Sequence, residues 1–104
     1  MSELVNKALQ VQSLEDNYAG CHLVELSIPA PKPNEICLRI EAATLGFPDL
    51  LMTKGAYQHK PDLPFVSGTE VAGEVIALGA EVEHFKLGDR VAAGKMGGGF
   101  AQFG

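Results

Sequence analysis

The side chains best equipped for chemistry fall in one short stretch, where Asp49, Lys54 and Tyr57 follow one another around a run that reads as a helix and its exit. A phenol such as Tyr57 donates a hydrogen bond, and a donor aimed at an oxygen that gains negative charge lowers the barrier of that step. A tyrosine that only packs its ring and hydrates its hydroxyl needs no such oxygen, and residue type alone leaves both readings open. Asp49 follows Pro48 and so enters the first turn of the helix, where the dipole favours a carboxylate by roughly 0.3–1 kcal/mol. Its structural role comes ahead of a catalytic one. Further along, Thr69-Glu70 sits in an apolar run. A buried Glu70 needs a partner, and Arg90 in the following strand is the expected one, a structural pair.

Metal chemistry finds little support. His22, His59 and His84 have no ligand spacing to one another, and the two cysteines, Cys21 and Cys37, lack the Cys-x-x-Cys arrangement. No metal site is expected, and the cysteines read as reduced, buried thiols. The run Gly97-Gly98-Gly99 invites comparison with a phosphate cradle. A dinucleotide fingerprint, however, needs Gly-x-Gly-x-x-Gly between a strand and a helix, and no helical pattern follows. A flexible turn is the better reading, with Phe100 and Phe103 opening a further strand.

The elements that must position these groups are mostly strands. Val66 to Leu78 is small and apolar with Gly68, Gly73 and Gly79 along it, which suits a bent, buried strand approached closely by another backbone. Gly88-Asp89 then turns the chain, and Arg90 to Ala93 returns as the partner of a hairpin whose loop carries Glu81 and Glu83. Glu35 to Ala43 alternates most cleanly, with Ile36, Leu38, Ile40 and Ala42 on a core face and Cys37, Arg39 and Glu41 on a wetter one. Lys7 to Gln12 and Cys21 to Ile28 form an opening antiparallel pair around the polar loop Ser13 to Gly20. Pro29, Pro31 and Pro33 make the next segment an extended connector. Pro48 starts a helix of under three turns through Asp49–Lys54, and Gly55 ends it.

The chain has 104 residues, enough for one domain, 1–104, with a modest core. Its net charge of −5 is scattered and builds no basic stripe, so nucleic acid is not an expected partner. No apolar run approaches the ~18 residues of a membrane span. The opening Met-Ser-Glu-Leu-Val-Asn-Lys has neither a secretory nor a transit pattern, and cytoplasm is the expected location.

The order Pro-Phe-Val-x-Gly-x-Glu-Val-Ala-Gly-x-Val, followed by Gly-x-x-Val-x-x-Phe-Lys-x-Gly-Asp-Arg-Val, resembles the N-terminal GroES-like domain of medium-chain dehydrogenase/reductases. Within them the chain is similar to the zinc-free quinone oxidoreductases, the zeta-crystallin group. Gly68-Thr69-Glu70 stands where zinc relatives carry Gly-His-Glu, and Gly46-Phe47-Pro48 where they carry a Cys. The resemblance implies a mainly β, partly open GroES-like barrel with one or two short helices.

It also implies an N-terminal fragment of a longer NADPH-dependent quinone or enone reductase, whose Rossmann domain is absent here and without which the fragment is inactive. Tyr57 and Asp49 match the segment that faces substrate, and Gly46 and Phe47 the backbone that borders the nicotinamide. Gly46 departs from the family's usual Asn, removing an amide, and Leu51 stands where some relatives have tyrosine. The implied partners are a small quinone or enone and, for the full-length protein, a second copy in a homodimer. Two rivals are a co-chaperonin-like binding module and a crystallin-like structural protein.

Overall fold

The opening runs pair as antiparallel strands β1 (Asn6–Val11) and β2 (Cys21–Leu26), with Asn6 opposite Leu26 and Val11 opposite Cys21. The computed structural model describes residues 5–57, 61–95 and 97–104. The proline connector leads to β3 (Ile36–Ala43), and α1 (Phe47–Met52) follows. Then come β4 (Phe65–Val66), β5 (Glu70–Leu78) and β6 (Arg90–Gly94). One sheet has the order β2-β1-β4 and the other β3-β5-β6.

The last residues join the two sheets. Leu9 N–H donates to the Phe100 carbonyl (2.7 Å) and Gln102 N–H to that of Lys7 (3.0 Å). From the other side Ile40 N–H donates to Gln102 (2.7 Å), and Leu38 and Gly104 exchange two bonds of 2.6 and 3.0 Å. Phe100 to Gly104 thus continues the sheet from β1 to β3. Among the described residues β2 and β6 remain as free edges, giving the expected mainly β, partly open barrel. Asn6 locks the junction, its buried amide donating to and accepting from the Phe103 backbone at 3.0 Å each way. Such pairing removes the cost of burying an amide.

The hairpin formed as its turn residues dictate, with Glu70 opposite Gly94 and Glu74 opposite Arg90. The structure corrects the expectation of one continuous strand from Val66 to Leu78. Gly68 takes φ +100°, a Cβ there would lie 2.5 Å from Phe100 N, and the chain breaks into β4 and β5 in different sheets. Close approach of another backbone was the right reason; its result is a corner.

Two further corrections concern side chains. Cys37 is 2% exposed and its neighbour Leu38 3%, although successive strand residues point to opposite faces. The start of β3 is therefore covered on both sides, and the ladder is irregular there, passing from Cys37–Ala77 to Leu38–Val75. Glu70 is exposed and does not pair with Arg90. It accepts a hydrogen bond from Thr44 Oγ1 at 3.3 Å, while Arg90 Nη2 lies 2.7 Å from Glu41 Oε2. The register puts Glu70 and Arg90 at opposite ends of the hairpin ladder. Arg39 pairs with the facing Glu74, which holds its guanidinium above the usual arginine range.

Candidate functional site

The helix α1 is short because strong local signals bound it. Gly46, extended at φ −104° and ψ 166°, is its N-cap, Pro48 occupies the first turn, and Gly55 reverses the backbone at φ +71°. Asp49 accepts a hydrogen bond from Gly46 N–H at 2.8 Å, and the Gly46 carbonyl accepts from the N–H groups of Asp49 (3.1 Å) and Leu50 (3.4 Å). Asp49 is 1% exposed, and its Oδ1 has no partner among the described residues. A carboxylate buried at a helix start gains from the dipole and from a charge-assisted bond, and it holds the Gly46-Phe47 backbone rigid. Of the two readings of Asp49, the first-turn helix acid is the one with geometry behind it.

The cap sets Phe47 out on the first turn, where it is 70% exposed beside the equally exposed Leu45. The Gly46 N–H is engaged by Asp49. Tyr57 lies half-buried beyond the helix exit. Facing α1, the loop before β2 contains a turn at Asp16–Tyr18. Between the two is a recess of about 180 Å³, lined by Asn17, Tyr18, Phe47, Leu50, Leu51, Thr53 and Lys54. Phe47 and Lys54 are therefore brought together, whereas Tyr57 and Asp49 lie outside its walls. Sequence reading treated Ser13 to Gly20 as a plain polar loop and missed Asn17 and Tyr18. An Asn four residues after Ser13 and three before Gly20 was a visible turn signal; nothing local marked the tyrosine.

A larger cavity of about 560 Å³ opens into the barrel between the sheets, with Leu26, Pro31, Cys37, Ile40, Val66 and Phe103 in its walls. Both cysteines are free thiols whose pKa is raised by burial, the more deeply placed being Cys37. His22 and His84 are exposed, and His59 lies outside the described residues. Among the described residues no three His, Cys, Asp or Glu side chains converge.

The glycine turn has no N–H groups to offer a phosphate. Gly97 donates to Lys95 (2.9 Å), Gly98 to Val66 (2.8 Å), Gly99 to Gly68 (3.0 Å) and Phe100 to Ser67 (2.8 Å). All four successive donors are thus engaged, three of them in closing the corner at Gly68, and a cofactor's phosphates do not fit here.

The model of the alcohol dehydrogenase GroES-like domain matches residues 32–103. The chain belongs to this family. The relatives that it matches include proteins named quinone oxidoreductases. The chloroplast envelope quinone oxidoreductase homolog of Arabidopsis thaliana is 41% identical over 92% of this chain and 31% of its own length. Among solved structures, the Escherichia coli quinone oxidoreductase complexed with NADPH superposes at a TM-score of 0.87 with 30% identity, covering 94% of this chain and 30% of that one. A probable oxidoreductase from Mycobacterium abscessus does so at 0.87 with 41% identity, covering 96% and 31%. The GroES-like domain described here spans about a third of the length of these relatives.

Proposed function

We propose that this GroES-like domain is the substrate-side part of an NADPH-dependent quinone or enone oxidoreductase, and that a Rossmann-type domain outside these 104 residues holds most of the cofactor. The observation that carries the reading is α1, a helix capped at Gly46 and stopped at Gly55 that presents Phe47 to the outside. A rigid element carrying an exposed ring suits one wall of a reaction cleft shared with a second domain. The engaged amides of Gly97 to Phe100 support assigning phosphate binding to that other domain.

When bound, the nicotinamide supplies the hydride. The residues here bind and orient. The backbone of Gly46 and Phe47 would border the nicotinamide, with the exposed Phe47 ring excluding water. Asp49 holds that backbone. Tyr57 would donate its phenolic hydrogen to the substrate carbonyl oxygen, where negative charge develops. No zinc is required for this arrangement of donors.

The test is turnover of NADPH by the full-length protein with a series of quinones and enones, alongside the 104-residue chain alone. Turnover is expected for the first and none for the second. Tyr57→Phe in the full-length protein is expected to lower kcat by about 10²-fold, the effect of removing one oxyanion donor. Failure to oxidise NADPH with any quinone or enone overturns the reading, and an unchanged kcat overturns the role of Tyr57.

A further inference from the structure

We infer that the free edge of β2 is a docking surface for a second copy of this chain, the two β2 strands pairing antiparallel about a two-fold axis at Leu23. This surface is independent of the reaction proposed above, since no group of α1 takes part in it.

The hydrogen-bond ladder identifies the groups that the edge offers. β1 and β2 keep one register from Asn6–Leu26 to Val11–Cys21, and Gln12 N–H continues it by donating to Gly20 O at 2.8 Å. On β1 the Leu9 N–H and the Lys7 carbonyl turn the other way, to Phe100 and Gln102. In an antiparallel ladder these directions alternate residue by residue. His22, Val24 and Leu26 therefore bond to β1, while Cys21, Leu23 and Glu25 turn their N–H and C=O groups outward. Among the described residues no strand or bridge pairs with those groups.

Edge strands are commonly blunted by lysine, proline or a bulge. β2, Cys-His-Leu-Val-Glu-Leu, has neither residue, and its register runs without a shift. At its centre Leu23 is 77% exposed, more than any other large apolar side chain among the described residues. The other free edge differs. Val75 N–H donates to Asp89 O and Lys95 N–H to Thr69 O, so Arg90, Ala92 and Gly94 of β6 face outward. A charge and two small residues leave that edge little apolar surface to share.

Self-pairing fits β2 in register and in charge. Outward residues can face only outward residues, and the alignment with Leu23 on the axis forms the most bonds, setting Cys21 of each copy opposite Glu25 of the other. His22 then stands opposite Val24, and no like charges oppose one another. Leu9 lies directly opposite Leu23 in the β1–β2 ladder and on the same face, so a stripe of leucines crosses the axis. Glu25, the one acidic residue of the strand, already faces Lys7. The net charge of −5 is thus not concentrated where the copies meet. Two three-stranded sheets join into one. Pairing through one short strand is at the small end of specific interfaces, so the dimer is weak and concentration-dependent.

The experiment is sedimentation equilibrium of the 104-residue chain over roughly 10 µM to 1 mM, with amide hydrogen exchange of the 15N-labelled protein at both ends of that range. The mass is expected to rise toward twice that of the monomer. Exchange at Cys21, Leu23 and Glu25 should slow with concentration, and that at His22 and Val24, already bonded to β1, should slow less. In a mixture of labelled and unlabelled copies, a close Hα–Hα contact between His22 of one and Val24 of the other reads the register. Leu23→Lys places charge on the axis and should weaken the dimer at least about tenfold with the urea midpoint unchanged. Leu23→Thr, which favours strand, should weaken it in the same direction but less. Leu87→Lys removes an apolar group that is 65% exposed in the β5–β6 loop and should change nothing.

A monomer across the whole range, a dimer that both Leu23 variants leave intact, or one that Leu87→Lys weakens equally would overturn the pairing. Slow exchange of Cys21, Leu23 and Glu25 in the dilute monomer would also overturn it, by assigning the edge to another segment of the same chain.

Discussion

The glycine corner that links β4 and β5 and the corner built by α1 and the Asp16–Tyr18 turn are both sharp changes of chain direction, and they are solved in opposite ways. At the first, Gly68 takes the positive φ, and the amides of Gly98, Gly99 and Phe100 close onto the carbonyls of Val66, Gly68 and Ser67. At the second, Asn17 and Tyr18 take the positive φ, a buried carboxylate keeps one oxygen without a partner among the described residues, and large rings stay exposed. The first corner satisfies its backbone groups and leaves nothing to bind with. The second accepts strain and holds side chains out. The contrast separates a motif that is easily recognised because it folds the chain from a region that leaves its side chains open to solvent.

The strongest way to break the comparison is to disturb the first corner. Gly68→Ala adds a Cβ 2.5 Å from Phe100 N at a backbone φ of +100°, so positive-φ cost and overpacking combine to about 3 kcal/mol or more. Urea unfolding should show a large fall in midpoint; a loss below about 1 kcal/mol would mean that the corner relaxes freely.

At the second corner, Asp49→Ala removes the charge-assisted bond to the Gly46 N–H and should cost about 1.5–3 kcal/mol by the same measurement. Asp49→Asn keeps an acceptor for Gly46 N–H and should cost less. Equal losses would show that charge near the helix dipole, and not the bond, carries the effect.

The two thiols sharpen the contrast between covered and open strands. Cys37, 2% exposed at the start of β3, should alkylate at least about tenfold more slowly than Cys21 on the edge strand β2, and denaturant should equalise them. Because burial raises both thiol pKa values, their contribution to stability is complete below the unfolded thiol pKa. It declines as pH rises through the folded values, where the unfolded chain ionises first. A stability that rises with alkaline pH would contradict this.

The smallest expected effect is at Gly46. A Cβ there meets Asp49 Oδ2 at 3.5 Å and Pro48 Cδ at 3.6 Å, ordinary contacts, and the backbone is extended. Gly46→Asn should therefore fold normally and gain a few tenths of a kcal/mol as a better N-cap. In the full-length protein it should also lower KM for a carbonyl substrate, read by steady-state kinetics, if the amide reaches the cleft as proposed. A large destabilisation would show the site is closed to side chains.

Much of the scaffold was legible. Alternation marked β1 and β3, the glycine-aspartate turn marked the β5–β6 hairpin, and Pro48 and Gly55 bracketed α1 to within two residues. The misses share a cause. Cys37 was assigned to the wetter face because alternation describes one strand and not what covers it. Glu70 was paired with Arg90 because both lay in one hairpin, but the register set Arg90 opposite Glu74 and within reach of Glu41. Asp49 was read correctly as a first-turn acid, since capping depends on residues three apart.

What the sequence determined by itself was therefore what neighbours within a few residues decide: strand alternation, turns, the capped helix and the order of motifs that marks the family. Only the tertiary structure decided which edges meet and which side chains share a recess. Phe100 to Gly104 joins the sheets through β1 and β3, residues more than sixty positions earlier. Tyr18 meets α1 because Glu15 bonds to Thr53 across thirty-eight positions. Such contacts depend on how distant segments exclude water and satisfy one another's backbone groups, and no local pattern encodes them.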